Sequence, residues 1–133
     1  MSTPTRPAVQ PPPPEPAQLL RDRLKADLTA ALKARQTPVA MTLRTLLAAI
    51  DNAEAVPLSA APPAIDGRSR DVPRLALARS DIQQILLREA DECRRARSDY
   101  ERMGQVEAAA AMRAALSLID AYVDWAMLEE QIP

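Results

Sequence analysis

The chain has 133 residues, a formal net charge of −1 and no histidine, with 17 basic residues against 18 acidic ones. This length suits a single domain, the balanced charge provides no general attraction to nucleic acid or an anionic membrane, and the lack of histidine removes the commonest general base and metal ligand. Aromatic residues and glycine are scarce, and no run alternates polar and apolar residues as a strand would, so the composition predicts an all-α protein.

Three features of the sequence bear on the compartment. A single cysteine cannot form an internal disulfide, which favours a reducing environment. The longest uncharged run, residues 55–65, contains three prolines and is too short to span a bilayer. The first residues lack the apolar stretch of a signal peptide. We therefore expect a cytoplasmic protein without membrane association, and the residue types predict neither a metal nor a cofactor.

The N-terminal residues 1–16 hold seven of the thirteen prolines, so we expect a disordered Pro-rich tail there. A groove-binding Pro-rich ligand is the alternative interpretation of this tail. The first helix is predicted over residues 17–35. Its leucines recur every four residues, and Arg21 is expected on the opposite, polar side with the other charged residues of the helix. The leucine positions are Leu20, Leu24, Leu28 and Leu32.

The second helix, predicted over residues 38–55, is the most apolar and is expected at the centre of a small bundle. Leu43, Leu46, Leu47 and Ile50 fall at i, i+3, i+4 and i+7, which places them on one face of a helix. Proline 38 suits the first turn, and Thr37 before it is a predicted N-cap. Because only two residues separate the first two helices, they must be neighbours in space.

Residues 56–79 form a connector with four prolines and no amphipathic period, which we expect to be a mobile surface segment; an ordered binding loop is the alternative. Two further helices are predicted, over residues 80–103 and 106–129. Ser80 and Gln83 have capping-box spacing at the start of the third helix, and Gly104 ends it. The prediction is thus a four-helix, bundle-like single domain spanning residues 17–129.

The charged segment from Asp91 to Arg102 is the strongest candidate for a contact surface. One interpretation is a basic ridge formed by Arg88, Arg94, Arg95 and Arg97, with Tyr100 nearby to stack on a base. The other is a solvated helix whose arginines are matched by carboxylates one turn away: Arg88 with Glu92, Asp91 with Arg95, Arg95 with Asp99, and Arg97 with Glu101. The pairing favours the second interpretation and leaves Arg94 as the unpaired member of the ridge.

Three segments resemble the GatB/YqeY family when taken in order: LRTLLAAIDNAEA (43–55), RRARSDYERMG (94–104) and LSLIDAYV (116–123). That family is similar to the C-terminal tail of the B subunit of tRNA-dependent amidotransferase. The enzyme converts mischarged Glu- or Asp-tRNA to Gln- or Asn-tRNA with glutamine as nitrogen donor. The resemblance spans residues 20–123. Its matching positions are Arg44, Asn52, Glu54, Arg94, Tyr100, Gly104 and Tyr122.

The sequence also departs from the family pattern at three places. Cys93 stands where the family tends to carry a basic residue, Gln105 stands where arginine is usual, and Val123-Asp124 replaces a common Leu-Pro step. The first two substitutions remove positive charge. Each departure weakens the inference of tRNA contact.

The resemblance implies a non-catalytic helical module linked to glutamine-dependent amidation of aminoacyl-tRNA. It also implies, by similarity alone, the activity class of a carbon–nitrogen ligase with glutamine as amido-N-donor. The implied partners are tRNA, bound weakly, or the amidation machinery. An independent amidotransferase is disfavoured, because Cys93 is the one conventional nucleophile and no histidine is present to activate it. The alternative, from a different class, is a generic helical scaffold or homo-oligomeric protein with no RNA role.

Overall fold

The computed structural model describes residues 15–55 and 76–131, with side chains up to Met127. These ranges contain four helices and no strand: α1 (Pro16–Lys33), α2 (Thr37–Glu54), α3 (Arg79–Arg102) and α4 (Val106–Gln131). The predicted all-α, bundle-like fold is therefore confirmed, and the predicted helix limits agree with the observed ones within two residues. The predicted Pro-rich tail and connector fall almost entirely outside the described residues.

Two three-residue turns divide the molecule into two helical hairpins, α1–α2 and α3–α4. In the first turn the backbone N–H of Gln36 donates to the carbonyl of Ala31 at 2.9 Å, and Arg35 has a φ of 56°. In the second, Gln105 donates to Tyr100 at 2.9 Å, and Gly104 has a φ of 71°. Both are Schellman motifs, in which the residue after the C-cap must adopt a left-handed conformation. Glycine adopts that conformation at no steric cost, whereas Arg35 does not.

The helix starts differ from the predicted caps. Pro38 lies in the first turn of α2 as predicted, but Thr37 is already helical and the N-cap position is Gln36, which makes no side-chain cap. In α3 the N-cap is Ala78, not Ser80, and its backbone N–H donates to the carboxylate of Asp81 at 2.9 Å. Asp81 thus satisfies one otherwise unpaired N–H and places negative charge at the positive end of the helix dipole.

The core lies where the two hairpins meet, and its largest fully buried side chains are Leu20, Leu24, Leu43, Leu46, Ile50 and Leu86. Packing is densest between α3 and α4, followed by α1 against α2, and it is sparser between the hairpins. Leu47, expected in the core, is only half-buried at its edge. Leu32 is 49% exposed, because a four-residue leucine spacing drifts off the buried face of a helix with 3.6 residues per turn.

Candidate functional site

A buried ion pair joins α1 to α2, and the sequence-based placement of Arg21 on the polar side was wrong. The Arg21 side chain is 10% exposed and contacts the Glu54 carboxylate, which is 8% exposed. Its guanidinium also donates to Asp51 at 3.1 Å and to Gln18 at 3.1 Å. Among the described residues Arg21 is the only cation paired with Glu54, so the Glu54 carboxylate depends on Arg21 for charge compensation, whereas the guanidinium also has the Asp51 carboxylate.

The signal for this pair was present in the sequence. Arg21 lies one turn after Ala17 and three residues before Leu24, on the buried face of α1. Glu54 lies one turn after Ile50 on the buried face of α2. Opposite charges on the apolar faces of adjacent helices indicate a buried ion pair.

A second polar contact joins the two hairpins. The phenol of Tyr122 in α4 donates a hydrogen bond to the carboxylate of Asp27 in α1, and Arg23 lies 3.4 Å from the same carboxylate. Burial, the hydrogen bond to Asp27 and the negative charge of Asp27 raise the pKa of Tyr122 above its usual value of 10.0. Tyr122 therefore stays protonated and keeps donating throughout the neutral range.

The predicted basic ridge does not form a single face. Arg94 pairs with Asp91 at 2.8 Å and lies 3.9 Å from Asp120 of α4, so the expectation that it is unpaired was wrong. Arg97 pairs with Glu101 at 3.8 Å, as predicted. Arg95 is exposed and has no ion-pair partner in the described part of the chain. Successive helical residues turn by about 100°, which sends adjacent arginines in different directions.

The other expected pairings also need correction. Of the four predicted i, i+4 pairs, only Arg97–Glu101 forms within the described ranges, and Arg102 instead pairs with Asp99. Tyr100, predicted to stack on a base, is half-buried, which limits its free ring surface. Whether these side chains contact a partner stays a prediction.

Three of the positions matched by the GatB/YqeY resemblance have structural roles. Glu54 pairs with Arg21, Gly104 makes the α3–α4 turn, and Tyr122 links the hairpins. The remaining helix-two matches, Arg44 and Asn52, are exposed. These matches thus explain how such a chain folds better than how it would bind RNA.

A groove runs along α2 where the hairpins pack loosely, built from three adjoining clefts. The first, of about 370 Å³, lies between Ala49 and Asn52 of α2 and Glu89 and Glu92 of α3. The second, of about 320 Å³, shares Glu89 and Glu92 with the first. The third, of about 410 Å³, shares Thr42 and Ala115 with the second. Because neighbouring clefts share wall residues, the three clefts lie in a row along α2, and this row is here called the α2 groove.

The lining of the α2 groove is made of small and flexible side chains. Its middle part is lined by Met41, Cys93 and Met112, and its far part by alanines of α4 that include Ala111 and Ala114. Methionine side chains adapt to differently shaped apolar partners, and small residues allow a partner backbone to approach closely. The groove is therefore suited to binding a polypeptide segment.

The charged groups of the α2 groove are mainly acidic, with Glu89, Glu92 and Glu107 against Arg88. Burial and the neighbouring Glu92 raise the pKa of Glu89, against a smaller opposing effect of Arg88. Burial, Glu89 and Glu92 also raise the pKa of the Cys93 thiol. The thiol is thus held in its protonated form, which is a poor nucleophile. The described ranges contain no group of three or more potential metal ligands.

In the described ranges, no helix combines the length and the apolar character needed to cross a membrane. Comparisons of this chain with family models, curated proteins and solved structures found no significant match. The assignment to the GatB/YqeY family therefore stays a prediction from the sequence.

Proposed function

We propose that this chain is a non-catalytic helical module whose α2 groove binds a protein of the machinery for glutamine-dependent amidation of aminoacyl-tRNA. The observation that carries this proposal is the groove itself, a row of three adjoining clefts whose lining includes Met41, Met112 and several alanines. The link to amidation is supported by the resemblance of residues 20–123. In this proposal the partner houses the carbon–nitrogen ligase chemistry.

The charges of the groove support a protein partner over direct recognition of tRNA. Glu89 and Glu92 line two of its clefts, and Glu107 lines the third. Carboxylates at these positions repel phosphate groups. Phosphate contact along α3 needs several unpaired cations, but Arg94 and Arg97 are already paired, which leaves Arg95 without an ion-pair partner in the described part of the chain. The module would therefore reach tRNA mainly through its protein partner.

The α2 helix offers a matched pair of variants for the test. Ala49 lines the groove, whereas its neighbour Ala48 is exposed and lies outside the three clefts. Ala49→Trp should fill the first cleft of the groove, and Ala48→Trp should add the same side chain to an open surface. Binding of both variants to the purified amidotransferase of the source organism can be measured by biolayer interferometry, with and without tRNA.

The expected result is association of the wild-type chain, weakened at least about tenfold by Ala49→Trp and changed less than about twofold by Ala48→Trp. Equal binding by both variants, or no association of the wild type, would reject the groove as the binding site for this machinery. Amide formation from glutamine and mischarged tRNA by the chain alone would reject the non-catalytic role.

A self-associating scaffold is the second candidate function, favoured by the apolar tip of the α3–α4 hairpin. Met103 is 61% exposed and Val106 is 74% exposed, on either side of the turn. If this tip forms a homo-oligomeric contact, sedimentation equilibrium should show a dimer that Met103→Ser and Val106→Ser dissociate. A wild-type chain that stays monomeric at about 100 µM would reject the self-associating scaffold, since stable dimers have dissociation constants below this concentration.

A further inference from the structure

We propose that the occupant of the α2 groove is an amphipathic helix that carries lysine or arginine beside its apolar face. This inference rests on the proposed function and specifies the chemistry of the partner segment. It follows from the length of the groove, the secondary structure of its walls and the sign of its charges.

The length of the groove matches a short helix. Its α2 wall extends from Pro38, in the third cleft, to Ala53, in the first. At a rise of 1.5 Å per residue, this span is about 24 Å, which equals the length of a helix of roughly four turns. A helix of that length can place apolar side chains at i, i+3, i+4 and i+7 along one channel.

The walls of the groove favour a helical occupant over an extended one. Extended peptides bind either by pairing their backbone with a free strand edge or, as polyproline helices, by docking on aromatic side chains. The groove offers neither, because its walls are the helices α2, α3 and α4 and no aromatic residue lines its three clefts. A helix satisfies its own backbone hydrogen bonds and needs only side-chain contacts, which the alanines and Met41 and Met112 provide.

The charges specify basic residues on the partner. Three glutamates, Glu89, Glu92 and Glu107, line the groove against one arginine, Arg88, at the end near Asn52. Glu89 and Glu92 repel each other, and burial makes the charge on Glu89 less favourable still. A cation from the partner placed between them would relieve this repulsion, whereas an acidic partner would increase it.

Two designed peptides of 16 residues provide the test. Both have the same Leu/Ala apolar face, and one carries lysine at the flanking positions where the other carries glutamate. Each is labelled, and its binding to the full chain is measured by fluorescence anisotropy in 50 mM and 200 mM salt. The lysine peptide should bind at least about tenfold more tightly than the glutamate peptide in 50 mM salt, and the preference should shrink in 200 mM salt.

Variants then locate the contact. Glu89→Gln combined with Glu92→Gln should reduce the preference for the lysine peptide below about threefold. The control Asp124→Asn removes an exposed carboxylate of α4 outside the three clefts and should preserve this preference. Because the glutamine pair removes mutual repulsion, circular dichroism should show an unchanged thermal midpoint or a higher one. A lower thermal midpoint together with loss of binding to both peptides would contradict the repulsion assigned to Glu89 and Glu92.

The outcomes separate this inference from the proposed function. If both peptides bind equally and Ala49→Trp blocks both, the groove still docks a helix but the charge preference is rejected. If Ala49→Trp leaves the lysine peptide bound, the attraction lies on another surface and the basic helix is rejected as occupant, while the proposed function is still decided by binding of the amidotransferase to the same variant. The basic helix is also rejected if neither peptide binds, or if Ala49→Trp abolishes self-association or tRNA binding seen in sedimentation.

Discussion

Removing Arg21 should destabilise the protein more than removing Glu54, although the two side chains form one ion pair. Arg21→Ala leaves the Glu54 carboxylate, 8% exposed, without its cation. Breaking a buried pair in this way costs about 3–5 kcal/mol, because an uncompensated charge stays in the interior. Glu54→Ala is milder, since the guanidinium keeps Asp51, which is 56% exposed, and Gln18 as acceptors. A loss of about 1.5–3 kcal/mol is expected there, the range for a hydrogen bond to a charged group.

Urea denaturation followed by circular dichroism measures both losses. With a slope of about 1.5 kcal/mol per M, a loss of 3 kcal/mol lowers the midpoint by about 2 M. The double variant Arg21→Met with Glu54→Leu removes both charges and should lie within about 1 kcal/mol of wild type or above it. Arg102→Ala, which breaks an exposed pair with Asp99, is the control and should cost less than about 1 kcal/mol.

Two results would refute this reasoning about the Arg21–Glu54 pair. A loss below about 1 kcal/mol for Arg21→Ala would mean that the pair is solvated rather than buried. A larger loss for Glu54→Ala than for Arg21→Ala would mean that Asp51 and Gln18 do not compensate the guanidinium. In the first case the contact between α1 and α2 would depend on its leucines alone.

Four further predictions follow from the fold. Arg35→Gly should stabilise the chain by about 0.5–1 kcal/mol and Gly104→Ala should destabilise it by about 1 kcal/mol, because both positions have positive φ. Thermal melts measure both changes, and equal shifts of the same sign would contradict this prediction. Leu46→Ala should lower the free energy of unfolding by about 2–5 kcal/mol and Leu47→Ala by about 1–2 kcal/mol, since only Leu46 is fully buried. Urea titrations measure both losses, and a reversed order would be inconsistent with the packing. Because the pKa of Tyr122 is raised on folding, the contribution of its phenol to stability should be complete below pH 10 and fall as the pH rises above it, where the unfolded tyrosine loses its proton. Melts of Tyr122→Phe should show a smaller alkaline loss than wild type, and an unchanged alkaline slope would argue against the buried phenol. Labelled tRNA should bind with a Kd of about 10⁻⁴ to 10⁻⁶ M at physiological salt, and sub-micromolar affinity at 200 mM salt would show an unrecognised RNA surface.

Local patterns in the sequence were enough to predict the helices and their order. Amphipathic periodicity predicts the positions of α1 to α4 directly, because the pattern depends only on the 3.6 residues in each helical turn. Gly104 predicts the end of α3, because its left-handed φ is a local property. The helix starts were less predictable, as Thr37 and Ser80 show, because alternative caps one or two residues away differ little in energy.

The sequence places Arg21 and Glu54 on the apolar faces of their helices, but only the tertiary structure decided which charges pair and where a partner can bind. That Arg21 contacts Glu54 depends on how α1 and α2 are rotated against each other. Asp120 reaches toward Arg94 only because α4 lies beside α3. The α2 groove likewise arises from the sparse packing between two hairpins, which no single helix encodes. Sequence periodicity determines the faces of each helix, whereas the space left between helices depends on all of their side chains packing together.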